Sequence, residues 1–492
     1  MTVDAEHHPV YRTGFAFLVL ACAAASYFSR DQPADTNAAE DKASFKSSKD
    51  DLDSGLEAGE GELPSPSSLK EGSAFKLFQK NYLLVYGLVM TADWLQGPAT
   101  YPLYQSYGYE LDQIAVLFVV GFLSSAIFGT ILGSLADKAG RKRACLLFCA
   151  VYAASCITKL SSNYAVLLFG RLLGGISTSL LFSVFEAWMV SEHHSRGFRE
   201  SLLSDTFAWA IFLNGLVAIL SGLLAHALTS MWGEVSPFMG SMAFLVAAAF
   251  VIQPTWRENY GSNDKNEGTS TSILDVMKLI LKDQDILAVG IMQCLFESAM
   301  YTFVFLWSPV LKDAALRTLP AGQEFKGPPV PYGLIFAAFM VSIMLGSVAF
   351  KVLLRRGMKH EDIARITFGL AAFALVVPVF VSDEPTVFVT FNLFEFSCGL
   401  YFPTLGTLRS KLVPEETRST VMNVFRIPLN LIVVVALLKV HEMNSSTLFA
   451  ICGMLVAVSF VFSIRLRARL LGKGSRSTVV WTRVDGDAGA TH

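Results

Sequence analysis

Charge is scarce in this chain. Asp, Glu, Lys and Arg make up 16% of its 492 residues, while hydrophobic residues make up 53%. An average soluble domain carries about 25% charged residues, so a deficit over this length excludes an ordinary soluble fold and calls for many membrane spans. The charge that remains nearly balances, at a formal net of -2. No basic stripe is present, which excludes a nucleic-acid partner. Cysteine is absent from the loops: Cys22, Cys145, Cys149, Cys156, Cys294, Cys398 and Cys452 all lie in apolar runs. No loop pair has disulfide or zinc spacing. Cys145 and Cys149 stand one helical turn apart with no His beside them and read as small apolar residues. No metal site and no cofactor are expected. The phosphate-cradling Gly-Lys-Ser/Thr loop is missing, which excludes an ATPase cassette. No span holds a His-rich cluster or a nucleophile–base pair, so the sequence does not predict an enzyme.

Long apolar runs fill the rest. The first, residues 15–28, lies between Arg12 and Arg30 and is short for a span, which needs about 20 residues. A retained helix, a signal anchor and a cleaved signal peptide all fit such a run; we read 1–30 as an N-terminal hydrophobic segment with a retained extra helix. Residues 31–75 change character, with Asp31, Asp35, Glu40, Asp50, Asp51, Asp53, Glu57, Glu60 and Glu62 set among Ser, Lys, Gly and Pro. That composition predicts a disordered acidic linker without chemistry of its own. Twelve apolar segments follow, at 81–103, 112–136, 143–161, 163–189, 201–228, 236–254, 285–310, 331–354, 362–382, 386–411, 416–440 and 446–468. Each is long enough to cross a bilayer. The polar stretch 255–284 is a central cytoplasmic loop between two six-helix halves, 76–254 and 285–470, and 471–492 is a tail. The expected fold is an all-α protein of the lipid bilayer, with twelve transmembrane helices and the extra N-terminal one.

One polar turn stands out between the second and third spans: Gly133, Ser134, Leu135, Ala136, Asp137, Lys138, Ala139, Gly140, Arg141, Lys142 and Arg143. A basic hairpin between two hydrophobic runs belongs at a membrane surface. Its residues match, at every defining position, the Gly-x-Leu-Ala-Asp-Lys/Arg-x-Gly-Arg-Lys/Arg pattern, and so resemble the loop between helices two and three of major facilitator superfamily transporters. A worn copy without the Asp, at Gly346, Ser347, Lys351, Arg355, Arg356 and Gly357, lies in the second half, as a duplicated transporter fold would leave it. The resemblance implies that Gly133, Asp137, Gly140 and Arg141 form a conformational latch at the inner ends of the halves. Loops after even-numbered spans are basic (Arg196, Arg199, Arg257, Lys359, Arg409, Lys411 and Arg418 among others), and so is the tail from Arg465 to Arg476. Loops after odd-numbered spans are acidic or nearly neutral, apart from a mixed one at 312–326. Positive charge on alternate loops places them and the C-terminus in the cytoplasm.

Ionisable residues inside spans are few: Asp93, Arg171, Glu297, Glu395 and Arg426, with Glu186 and Asp205 nearer the inner surface. Each costs about 2.5–3.5 kcal/mol in hydrocarbon, so each needs a partner or a wet cavity. Asp93 and Glu297 lie equally deep in spans one and seven, and Arg171 and Glu395 at similar depth in spans four and ten. Both halves thus place charge near the midplane on corresponding helices, where transporter sites are built. Polar neighbours share their faces: Gln96 and Tyr104 with Asp93, Gln293 and Tyr301 with Glu297, Asn392 with Glu395, Asn423 and Asn430 with Arg426. Two uses fit each carboxylate, a tie between helices or a place in the cavity. Arg171, beside Gly174 and Gly175, fits both a helix tie and a ligand. Arg426 stands before Pro428, where a broken helix would free backbone groups. Glu186 is expected at the inner interface as a gate, and His193 and His194 in a loop as solvated residues.

A narrower resemblance rests on longer runs. Thr158-Lys159-Leu160-Ser161 leads to Gly170-Arg171-Leu172-Leu173-Gly174-Gly175-Ile176-Ser177-Thr178, then Phe185-Glu186-Ala187-Trp188. Ala92-Asp93-Trp94-Leu95-Gln96-Gly97-Pro98, Leu295-Phe296-Glu297-Ser298, Gly399-Leu400-Tyr401-Phe402-Pro403 and Asn423-Val424-Phe425-Arg426-Ile427-Pro428 join them, with Glu258-Asn259-Tyr260 after the sixth span. Together, over 81–468, they resemble the molybdate-anion transporter family of the major facilitator superfamily. The resemblance implies a multi-pass protein of the plasma membrane that takes up molybdate, a tetrahedral dianion, by alternating access, with tungstate and sulfate as chemical analogues. It makes Arg171 and Arg426 the expected ligands, because a guanidinium offers a planar fork of charged donors, with Asn423, Asn430 and Gln96 as neutral donors. Asp93, Glu297 and Glu395 would couple protons or hold the Arg forks. A transporter of another solute, an organic anion or a sugar, and a transporter-like receptor are the competing readings. No protein partner is implied.

Overall fold

The computed structural model describes residues 2–4, 9–28, 66–261, 273–317, 324–326, 330–440 and 442–484. Most of the acidic linker, the middle of the outer loop near 312–331 and the end of the tail lie outside these residues. The helices are α1 (Pro9–Phe28), α2 (Pro66–Gln96), α3 (Thr100–Ser106), α4 (Leu111–Ala139), α5 (Arg141–Thr158), α6 (Tyr164–Leu181), α7 (Val184–Ser195), α8 (Glu200–Trp232) and α9 (Ser236–Thr255). They continue as α10 (Ile273–Lys282), α11 (Gln284–Arg317), α12 (Tyr332–Arg355), α13 (His360–Phe380), α14 (Glu384–Leu412), α15 (Glu415–Leu438) and α16 (Ser445–Val484). Two three-residue strands, Thr2–Asp4 and Glu324–Lys326, pair in parallel.

Among the described residues, nine helices are long and apolar enough to cross a membrane, α1 included. The spans at 81–103, 143–161 and 386–411 are not among them, and 416–440 enters only as a shorter apolar helix, Val424–Leu438. Three of these four carry expected site residues, among them Asp93, Glu395 and Arg426.

Local chemistry explains where helices break. Span one divides into α2 and α3 at Gly97 and Pro98, where proline has no N–H to give. Span four divides into α6 and α7 at Phe182 and Ser183. Just before that break Ser177, Thr178, Ser179 and Ser183 each donate to the carbonyl four residues back, a pattern that loosens a helix. Helix α15 runs unbroken through Pro428, contrary to the break expected there. The basic turn is tighter than the sequence suggests: α4 runs to Ala139, and Gly140, at φ +109°, is the whole turn before α5. Helix α2 reaches back to Pro66, into the range read as linker, and α10 lies in the range read as central loop.

Contacts divide the chain into two compact units, residues 1–19, 31–267 and 320–341, and residues 20–30, 268–319 and 342–492. In the first, α2 packs on α8 and α9, and α5 on α6 and α9. In the second, α11 packs on α15 and α16, and α13 on α14 and α16. These are the same pairings one half-chain apart: spans one with five and six, and three with four and six. A duplicated scaffold is the economical account of that repetition. A crossing of small residues recurs in both units. A Cβ on Gly175 would lie 2.5 Å from the Gly121 carbonyl oxygen. In the second unit Gly346 and Gly399 approach so closely that a Cβ on either would strike the other helix's backbone. Only glycine allows such approach.

Candidate functional site

In the first unit the midplane carboxylate is answered by a hydroxyl. Tyr152 of α5 donates to Asp93 of α2 at 2.7 Å, and among the described residues no Lys or Arg forms an ion pair with Asp93. Gln96, one turn on, donates to Ser241 of α9 at 2.9 Å and to the Ala92 carbonyl at 3.3 Å. Its amide nitrogen is engaged in holding α2 against α9.

Arg171 is held from three sides by α4. Its Nε donates to the Leu117 carbonyl at 3.1 Å, its guanidinium lies 4.9 Å from the Phe118 ring centroid, and Gly121 leaves the notch that it fills. A Cβ on Gly121 would come within 2.6 Å of Arg171 Nη2. The guanidinium also interacts with the Tyr104 hydroxyl of α3. Lys159, at the C-terminal cap of α5, donates to that same hydroxyl at 2.6 Å. Lys159 is 2% exposed, and it stands in the family-like run without having been marked as a site residue.

The second unit repeats the carboxylate–tyrosine bond with different surroundings. Tyr401 of α14 donates to Glu297 of α11 at 2.8 Å. Gln293, Arg409 and Arg426 are its other electrostatic neighbours, and Arg409 donates to Gln293 at 3.2 Å. Tyr301 lies near both Glu297 and Arg426. Arg409, counted above as a loop charge, is a helical residue of this group. Arg426 is exposed and Asn430 half-buried on α15; the Asn423 side chain lies outside the described ones. Glu395 is buried, and its hydrogen-bond partner is Cys398 of its own helix.

The latch residues are fixed within the first unit by the chain that follows α9. Asp137 and Arg141 form an ion pair at 2.7 Å, and Arg141 also donates to the Ala187 carbonyl at 3.2 Å. Gly133 lies within α4. Gly140 has no side chain to cap α5, and the first N–H groups of a helix have no partner inside it. Here they go to a distant segment. The N–H of Arg141 donates to the Asn259 carbonyl at 3.0 Å. Those of Lys142 and Arg143 donate to the Glu258 carboxylate at 2.8 and 3.2 Å. Gly261 donates to the Asp137 carbonyl at 2.9 Å. The segment is itself anchored: Trp188 stacks on Trp256 with centroids 3.6 Å apart and donates to the Arg257 carbonyl at 2.8 Å. Glu186, on α7, is exposed and close to Tyr82 and Tyr86 of α2. His193 is not solvated as expected. It is fully buried among Phe75, Phe78 and Phe198 and bonds the Arg199 carbonyl at 3.0 Å; His194 is exposed.

No group of three or more metal-ligating side chains occurs among the described residues. The arrangement offers fixed cations and tyrosine-bound carboxylates in helices, which suits holding and passing a charged solute.

Comparison with known proteins agrees. Residues 62–401 match the family described as sugar transporters with 12 transmembrane segments. The chain is 35% identical over 419 residues to a molybdate-anion transporter of Xenopus tropicalis, covering 82% of this chain and 89% of that protein. Its namesake in Takifugu rubripes is 35% identical over 416 residues, 78% and 84% of the two chains. The nucleoside transporter NupG superposes with a TM-score of 0.63 at 13% identity, over 79% of this chain and 99% of that one, which bears on the fold alone. The chain therefore belongs to the major facilitator superfamily and, within it, to the family of the molybdate-anion transporters.

Proposed function

We propose that this protein carries molybdate across the membrane by alternating access. The observation that carries the reading is the kinship over four-fifths of the chain with proteins named for that anion. The site chemistry is compatible with it. A tetrahedral dianion needs fixed, charge-assisted donors, and Arg171 and Arg426 are the deep cations that supply them, with Asn423 and Asn430 as neutral donors. Gln96 braces α2 instead. Glu297, an electrostatic neighbour of Arg409 and Arg426, is the carboxylate placed to orient them, and Asp93 and Glu395 are the carboxylates left for proton coupling. Tungstate and sulfate share the shape and charge of molybdate and are the expected competitors. Gly133, Asp137, Gly140 and Arg141 act as the latch and Glu186 as the inner gate. The protein is a transporter rather than an enzyme, resides in the plasma membrane, and has its basic loops and C-terminus in the cytoplasm.

The test is molybdenum accumulation, measured by elemental analysis, in a molybdate-starved host expressing the chain. Uptake is expected, with inhibition by unlabelled tungstate. Arg426→Ala abolishes it while the protein still reaches the membrane. Normal uptake by that variant refutes the ligand role. Uptake that sugars inhibit and tungstate does not refutes the substrate.

A further inference from the structure

We propose that Lys159, Tyr104 and Arg171 form an oxyanion-binding subsite inside the first unit, with Lys159 as the second positive charge; this rests on the oxyanion reading above. The two cations converge on one hydroxyl, Lys159 at 2.6 Å and Arg171 through its guanidinium. Both are built in. The Lys159 carbonyl accepts from the Tyr107 hydroxyl, and Arg171 is fixed by the Leu117 carbonyl, the Phe118 ring and the Gly121 notch. Rigid placement of this kind marks a binding constellation.

Electrostatics points the same way. Charges taken out of water are stable when paired. Yet among the described residues neither cation has a carboxylate in an ion pair; Asp93 is turned to Tyr152. In the second unit Arg409 and Arg426 are electrostatic neighbours of the Glu297 carboxylate, with no ion pair to it among the described residues. A neutral hydroxyl does not balance a guanidinium and an ammonium group, whereas a tetrahedral dianion does. The two donors also differ usefully. Arg171 presents a planar fork to two oxygens, and Lys159 a compact charge with freely rotating donors for a third. Tyr104, fully buried, rides on α3, seven residues set off from α2 by Gly97 and Pro98.

The experiment is ligand-induced thermal stabilisation of the full chain in detergent, titrated with sodium molybdate, tungstate and sulfate at constant ionic strength. Lys159→Gln, Lys159→Arg, Tyr104→Phe and the exposed-residue control Lys138→Gln are compared with wild type. Wild type responds to the oxyanions. Lys159→Gln weakens the apparent Kd at least about tenfold, the scale of one charge-assisted contact, Lys159→Arg recovers part of the loss, and the control does not change. Tyr104→Phe, which keeps the ring, weakens binding several-fold and decides the matter if the Lys159 variants do not fold. Wild-type affinity in Lys159→Gln, or in Tyr104→Phe where it must decide, overturns the subsite and leaves the transport reading standing. No response of wild type to any tetrahedral oxyanion overturns both.

Discussion

Glu258→Ala is expected to loosen the basic turn without touching any transmembrane site residue. The carboxylate caps α5 from outside, accepting two backbone N–H groups at 2.8 and 3.2 Å, with a side chain 23% exposed. Hydrogen bonds to a charged group contribute about 1.5–3 kcal/mol each when buried, and loss of a helix N-cap costs about 0.5–2 kcal/mol. The freed N–H groups lie near water and are partly rehydrated, so a net loss of about 2 kcal/mol is the working figure. For a half of this size that is a fall in melting temperature of roughly 4–8 °C. Glu258→Gln keeps an acceptor oxygen but loses the favourable carboxylate at the positive end of the helix dipole; it falls about half as far. Differential scanning fluorimetry in detergent reads both. Gly140→Ala supplies an independent check. Its φ of +109° is strained for alanine, and the new Cβ would lie 2.6 Å from the Glu258 carboxyl carbon. In the double variant the clash is gone, so the two losses sum to more than the measured total. A Glu258→Ala protein that melts within about 1 °C of wild type, or strict additivity with Gly140→Ala, refutes the capping argument.

Two further outcomes follow from the same contacts. Gly121→Ala places a methyl 2.6 Å from Arg171 Nη2 and displaces the guanidinium, while alanine favours the helix by about 1 kcal/mol; uptake assays should give a raised KM, and fluorimetry an unchanged or higher melting temperature. Glu234, between α8 and α9, lines a cavity with His226 and Tyr332, and burial raises its carboxyl from 4.5 to about 7. The folded chain therefore keeps a proton that the unfolded chain has released. The stability linked to that proton is full below pH 4.5 and is lost as pH rises through 7. Melting temperatures taken across that window should fall in wild type and fall less in Glu234→Gln.

Periodicity revealed faces and depth, and it missed partners. The helical spacing around Asp93 and Glu297 identified two midplane carboxylates on corresponding helices. Their tyrosines, Tyr152 and Tyr401, come from other helices, 59 and 104 residues away. A pattern with a period of 3.6 residues carries no information about such pairs. Lys159 and Arg409 were obscured for another reason. Arg409 read as a loop charge that fixes topology, and Lys159 only as part of the family-like run at a span end, yet both side chains turn into their bundles. His193 misled because polar flanks suggested a solvated loop, while Phe75, Phe78 and Phe198, far off in sequence, close over it. Helix α10 was legible in part: Ile273, Met277, Ile280 and Leu281 stand at i, i+4, i+7 and i+8, an apolar stripe inside a segment judged only by its polar flanks.

The two units carry the same packing and the same carboxylate–tyrosine bond, with different cations around it. Helix pairings repeat between them, as do the glycine crossings at Gly121 with Gly175 and at Gly346 with Gly399, because close approach of backbones tolerates nothing larger. Charge is under no such constraint from packing, and it has diverged. One unit keeps two cations on a tyrosine hydroxyl and ties its carboxylate to another tyrosine. The other also ties its carboxylate, Glu297, to a tyrosine, and has Arg409 and Arg426 as electrostatic neighbours of that carboxylate. A dianion leaving water must recover a large hydration free energy, and cations already answered by a carboxylate return less of it than cations that are not.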